Sequence, residues 1–175
     1  FIYNDYKGLE KLIKDYPNIG IVKMEVSRNF LPENSFLKKI KNLCKKKNLI
    51  LIFDECTSGF RETFGGLHKK YKINPDIAVF GKALGNGYAI TAIIGKREIM
   101  ENSKKSFISS TFWSERIGFV AGYNTLKNMK RLNSWKDISS KGNLIKKKWK
   151  KIFTENKYPV TISGLSSIPT FSFKN

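Results

Sequence analysis

Two residues of this chain have the types and the placement for covalent chemistry at a carbonyl carbon. Lys82 stands in Phe80-Gly81-Lys82-Ala83-Leu84-Gly85-Asn86-Gly87, directly after one apolar run and before a glycine-rich bend. Asp54 closes another apolar run, Leu49 to Phe53. A primary amine that sheds its proton can condense with an aldehyde, and a carboxylate can hold the proton of a basic ring nitrogen. Taken singly, an aspartate after a strand is usually a cap or an ion-pair partner, and a lysine there is usually surface charge. Their joint appearance at two strand ends is what singles them out. A lysine to form an imine and an acid to hold a pyridinium are together what pyridoxal phosphate chemistry requires.

The elements that must position this pair are legible from periodicity. Leu9, Leu12, Ile13 and Tyr16 predict a short amphipathic helix that Pro17-Asn18 stops. Ile19 to Val26 reads as a strand. Pro32-Glu33 opens a helix with Phe36, Leu37, Ile40, Leu43 and Cys44 on one face, and Lys45 to Lys47 suit its C-terminal end. Leu49 to Phe53 is continuous in apolar character, as expected of a strand covered on both faces. Strand, helix, strand is a βαβ unit, so these strands should run parallel. After Asp54 come a loop with Gly59, Gly65 and Gly66, a short helix at Leu67 to Tyr71, and a turn at Asn74-Pro75-Asp76. Strands are then expected at Ile77 to Phe80, Ala89 to Ile94 and Phe107 to Phe112, with a helical stretch near Lys96 to Glu101. Ser114 is placed to cap a helix from Glu115 to about Lys130, and Ser134-Trp135-Lys136-Asp137 reads as a capping box for another, to about Phe153. Tyr158 to Ser163 and Thr170 to Phe173 read as strands of a new element. A composition shift near Arg131 to Ser134 places a domain boundary there, giving units 1–131 and 132–175. The chain begins at Phe1 and ends inside an expected strand, so it reads as a fragment of a longer protein.

Asp54, Lys82 and Thr111 fall at or beyond carboxyl ends of expected strands, where open α/β sheets bind ligands. The words around them, IFDECTSGFR and then FGGLHKKYKINPDIAVFGKALGNG, resemble the class III, fold-type I pyridoxal-phosphate-dependent aminotransferases. Within these the chain is most similar to the branch that includes glutamate-1-semialdehyde 2,1-aminomutase. The resemblance runs from about Asn18 to Thr125, with weaker echoes to Phe173.

It implies a large-domain piece with a mostly parallel sheet and helices on both faces, followed by the start of a small α+β domain. It implies that Lys82 holds pyridoxal 5'-phosphate as an imine and shuttles a proton, and that Asp54 pairs with the ring nitrogen. By the same resemblance Thr111 hydrogen-bonds the cofactor phosphate across a homodimer with a shared site, and Ser110 is placed to share that task. The Phe112-Trp113-Ser114 that follows departs from the Gly, Asn and Pro of many members. Thr57 corresponds to a group near the ring's phenolic oxygen. Glu25 and Asn29 match a loop that approaches the cofactor face, where Glu25 is either a substrate contact or a plain structural one. Arg61 either grips a substrate carboxylate as a fork or pairs locally to hold its loop. His68 reads as a helix-surface residue, Cys56 as a small buried side chain, and Gly85 and Gly87 as residues that allow the bend. The implied reaction is amino transfer between small amino and keto or aldehyde substrates, with an internal aminomutase reaction as the alternative.

Charge invites a different class. Thirty-three Lys and Arg against 14 Asp and Glu give a net charge of +19, which suits nucleic acid or an anionic membrane. The lysines are dispersed, however, and most fall on expected helix faces, so they read as solvated charge with no base-reading motif. The Lys146-Lys147-Lys148 run around Trp149 is the densest. No nucleic-acid or membrane partner is expected. A catalytically inactive relative kept for assembly is a third class, which retention of both Asp54 and Lys82 disfavours. Cys44 and Cys56 lack metal-ligand spacing, no CxxC occurs, and His68 is the single histidine, so no metal site is expected. Reduced thiols fit a cytoplasmic protein. No apolar run approaches the ~20 residues a bilayer requires.

Overall fold

The computed structural model describes residues 1–109, 111 and 114–174. Helix α1 (Tyr6–Asp15) leads to strand β1 (Ile21–Glu25), helix α2 (Phe36–Lys46) and strand β2 (Ile50–Asp54). A 3-10 helix at Leu67–Tyr71 precedes strand β3 (Ile77–Phe80), and a 3-10 turn at Lys82–Leu84 precedes strand β4 (Ala92–Gly95). Then come the single-turn helix α3 (Arg97–Met100), the long helices α4 (Arg116–Leu132) and α5 (Ser134–Glu155), and strands β5 (Val160–Ser163) and β6 (Thr170–Phe173).

The four-stranded sheet has the order β1-β2-β3-β4. β1, β2 and β3 are parallel, as the βαβ reading requires, and β4 returns antiparallel to β3. The pleat sends Val22 and Met24 of β1 and Leu51 and Phe53 of β2 to one side, where they meet Leu9, Ile13, Phe36, Ile40 and Leu43 in the main core. Phe53 and Ile40 are fully buried, so truncating either removes packing worth about 3 kcal/mol or more. The opposite side of the same strands is more open than a run like Leu49 to Phe53 suggests. Ile21 is more than half exposed, Ile50 and Ile52 are only partly covered, and on the same face of β4 Ile93 is more than half exposed.

Several expectations are corrected here. Pro32-Glu33 lies ahead of α2, which starts only after Ser35 in a left-handed conformation. Phe107 to Ser109 form no strand, and Phe107 is almost wholly exposed. A strand needs a ladder partner, and β4, the edge, pairs among the described residues with β3 alone. Ser114 does not cap α4, whose N-cap is Glu115. Ser134 is the first residue of α5, not its cap, because the preceding Asn133 takes the left-handed conformation that ends α4. The β5–β6 hairpin touches the first part of the chain: Leu165 packs in the main core, and the Gly164 N–H donates to the Asn29 carbonyl at 3.2 Å.

Candidate functional site

Parallel pairing brings Asp54 and Lys82 to one edge. β2 and β3 are neighbours with Asp54 opposite Val79, and Lys82 follows just past the end of β3, after Gly81. Gly81, between Phe80 and Lys82, is buried against Cys56 and Thr91. Lys82 itself has φ +43°, a left-handed conformation that a side chain disfavours. Strain of this kind persists where the surrounding structure imposes it. Asn86 and Gly87 also take positive φ, so the bend needs Gly87's freedom. Gly85 has ordinary helical angles, and its hydrogen is required for another reason: a Cβ there would collide with the Tyr88 carbonyl.

The Lys82 side chain is exposed, and its Nζ donates to Thr57 Oγ1 at 2.8 Å. Asp54 is partly buried. Its Oδ1 accepts the Cys56 N–H at 3.1 Å, and its Oδ2 pairs with Lys23 Nζ at 3.1 Å. Burial works to raise the Asp54 carboxyl, but the Cys56 donors and Lys23 outweigh it and hold it below the usual value. The carboxylate is therefore anionic at neutral pH. Beside Lys82 opens a cleft of about 780 Å³, lined among others by Phe60, Arg61, Tyr88, Asn124 and Ser134. Its size suits a small molecule. Lys82 lines it and Asp54 does not.

Of the other candidates, Arg61 donates from Nε to the Thr57 carbonyl at 2.6 Å while also lining the cleft. It thus ties its own loop and keeps its remaining donors toward open space. Glu25 lies opposite Asp54 in the register and makes a loose 3.9 Å pair with Arg28. Asn29 is exposed, its carbonyl engaged by Gly164. Thr111 sits exposed in a turn, and Ser110 lies outside the described residues. The structure brings Asp54, Thr57, Arg61 and Lys82 to one edge of the sheet.

Sequence reasoning missed two features. Lys23 carries no signal of its own in the sequence, because only the β1–β2 register reveals its reach to Asp54. The other is a buried cluster around Glu55, which is completely enclosed. Glu55 Oε2 accepts from Ser58 Oγ at 2.5 Å and Leu67 N at 2.8 Å, while Oε1 accepts from His68 N at 2.9 Å and lies 2.8 Å from His68 Nδ1. His68 is accordingly buried, not a helix-surface residue: an enclosed carboxylate must be met by donors, and the ring supplies one. Cys56 is only partly buried. Lys146, read as solvated, is half-buried and donates to the Gly164 carbonyl at 2.6 Å. Among the described residues no cluster of three or more His, Cys, Asp or Glu could hold a metal, and no helix is long and apolar enough to cross a membrane.

An amine and a carboxylate thus stand on adjacent carboxyl edges of the mostly parallel sheet of an α/β chain, and comparison gives its class. The aminotransferase class-III family model matches residues 29–175, and the chain belongs to that family. It is 36% identical to a glutamate-1-semialdehyde 2,1-aminomutase from Wigglesworthia glossinidia brevipalpis, over 99% of this chain and 42% of that protein. It is 33% identical to a 3-aminobutyryl-CoA aminotransferase from Cloacimonas acidaminovorans, over 99% of this chain and 44% of that one. The chain thus spans less than half the length of these relatives. The Sphingopyxis sp. MTA144 FumI protein, solved in its PLP internal aldimine form, superposes with TM-score 0.93 at 20% identity, covering 100% of this chain and 44% of its own. An ornithine aminotransferase from Plasmodium yoelii superposes with TM-score 0.88 at 24% identity, covering 99% and 48%. The fold is that of the fold-type I transferases.

Proposed function

We propose that the protein to which this chain belongs transfers amino groups with pyridoxal 5'-phosphate, and that Lys82 and Asp54 are its central residues. The observation that carries this is the placement of a lysine amine and an anionic carboxylate at neighbouring strand edges in a class III chain. The donor set fits the cofactor: an amine for its aldehyde, an ionised acid for its basic ring nitrogen, and an open cleft alongside. When bound, the cofactor supplies an electron sink for a carbanion at the substrate's reacting carbon.

The chain's residues divide the remaining work. Lys82 anchors the cofactor through Nζ and, once freed, moves the proton at the substrate's reacting carbon. It must shed its own proton to act as a nucleophile. Thr57 orients that nitrogen from 2.8 Å. Asp54 holds the proton on the ring nitrogen, for which its anionic state is required. Arg61, anchored by Nε, has its fork free to meet a substrate carboxylate. Thr111, with Ser110, meets the cofactor phosphate across a homodimer, and Glu25 and Asn29 border the substrate. Exposed Ile117, Phe119 and Tyr123 on α4 are consistent with such a partner surface.

Residues 132–175 begin a second unit that leans on the first through Leu165. The amino donor and acceptor are small molecules, and the protein works in the cytoplasm. An internal 2,1-aminomutase reaction is a second reading, favoured by the 36% identity to an aminomutase. Incubation of the full-length protein with glutamate-1-semialdehyde alone, against an amino donor with a keto acceptor, separates the two. The test of the whole proposal is a cofactor titration. Full-length protein should gain a visible absorption band with pyridoxal phosphate that Lys82→Ala lacks; an identical band in the variant would refute the assignment.

A further inference from the structure

Lys23 is an anomaly on its face of the sheet. With Ile21 opposite Ile50 and Glu25 opposite Asp54, the side of β1–β3 that carries Lys23 is otherwise built from Ile21, Ile50, Ile52, Ile77 and Val79 up to the Glu25–Asp54 edge. Lys23 faces Ile52 in the register and reaches one step up the sheet to place Nζ 3.1 Å from Asp54 Oδ2. Its side chain is 60% exposed, against 26% for Asp54. An exposed ion pair of this kind adds little to stability. What it does change is the charge and the freedom of the carboxylate. Asp54 has one oxygen on the Cys56 N–H and the other on an ammonium, so both oxygens are pinned. Each still has a lone pair to offer a further donor.

We infer, on the reading of Asp54 as the ring-nitrogen partner, that Lys23 is a positioning residue that shares the Asp54 charge and so sets how tightly Asp54 holds a proton on a bound ring nitrogen. A carboxylate already neutralised in part by an ammonium attracts a pyridinium less strongly than a bare one. The other titratable groups nearby are Glu25, opposite Asp54 in the register, Cys56, whose N–H it accepts, and Lys82, just past the end of β3. Glu25 is drawn toward Arg28 and Lys82 toward Thr57. Lys23 is therefore the ammonium in direct contact with the carboxylate.

The experiment compares full-length wild type, Lys23→Met and Lys23→Arg by NMR. The carboxyl carbon of Asp54 is followed through acid titration without cofactor, and the ring nitrogen of 15N-labelled pyridoxal phosphate is followed in the loaded protein. Lys23→Met should move the Asp54 midpoint upward and let the ring nitrogen keep its proton to a pH about one unit or more higher. Lys23→Arg should restore wild-type behaviour in both. A Met variant that leaves both titrations unmoved, or an Arg variant that behaves like Met, overturns the inference. Wild type that takes up no labelled cofactor overturns the proposed function instead, and the Asp54 titration still decides whether Lys23 governs that carboxylate.

Discussion

Asp54 and Glu55 are consecutive carboxylates at the end of β2, and the chain sends them into opposite surroundings. Glu55 turns inward, is wholly enclosed, and is met by Ser58, Leu67 and His68. Asp54 stays at the sheet's open edge with one backbone donor and one exposed lysine. In each case burial pushes the carboxyl up and hydrogen bonds pull it further down, so both end below their ordinary values. The shared shift conceals different roles. Donors that come from a loop 12 and 13 residues downstream make Glu55 the clasp that closes the Glu55–His68 loop. Asp54 is held at both oxygens yet keeps a lone pair on each, which suits a group that must accept another partner. A perturbed carboxylate does not by itself mark a functional site, because structural hydrogen-bond and ion-pair networks shift carboxylates too.

The sharpest way to break this contrast is to remove the clasp. Glu55→Ala leaves the His68 ring and two backbone N–H groups buried without their acceptor, and should cost about 3 kcal/mol or more of stability in urea unfolding. If it costs less than about 1 kcal/mol, Glu55 is not a clasp. Asp54→Asn should do the converse. Unfolding should change by no more than about 0.5 kcal/mol, while amino transfer by the full-length protein falls roughly a hundredfold or more, because a neutral amide no longer holds the ring proton. Equal losses of stability in the two variants would erase the distinction.

A third carboxylate calibrates the scale. Asp76 accepts Leu51 N–H at 2.9 Å and pairs with Lys41 at 2.9 Å and Lys96 at 2.8 Å. Burial raises it, yet Lys96, the Leu51 N–H and Lys41 bring it down to about 2 from 3.8. A depressed folded value means stability that is present above pH 3.8 and lost as pH falls toward about 2. Asp76→Asn should therefore cost about 2 kcal/mol near neutral pH, with the difference from wild type closing as the solution is acidified toward pH 2. Glu55 carries the same sign, so its contribution too should fade only in acid. The smallest effect is expected on α5, where Lys147 and Lys148 are exposed. Replacing both by Gln should leave unfolding and amino transfer unchanged, and duplex DNA retention at physiological salt should be negligible before and after. Lys146, which holds the Gly164 carbonyl, is expected to behave differently and to cost some stability.

What the sequence made legible follows from what is local. Ile77–Phe80 and Thr170–Phe173 were read to their ends because turn residues bracket them, and the Phe36–Cys44 face of α2 because helical spacing repeats there. The carboxyl-edge positions of Asp54 and Lys82 followed from the same runs. The antiparallel return of β4, the burial of His68 and the reach of Lys23 were not legible. Each depends on which residue lies across from which, and that register is set by packing between elements far apart in the chain. Over Phe107–Ser109 the expected strand does not form, for a related reason: apolar content favours a strand only where a neighbour offers its ladder.

The most direct test of the central claim is chemical capture of the amine. Full-length protein incubated with pyridoxal phosphate is reduced with borohydride, digested and mapped by mass. A pyridoxyl group on Lys82 is the predicted result; a stoichiometric adduct on any other lysine, with Lys82 unmodified, would contradict it.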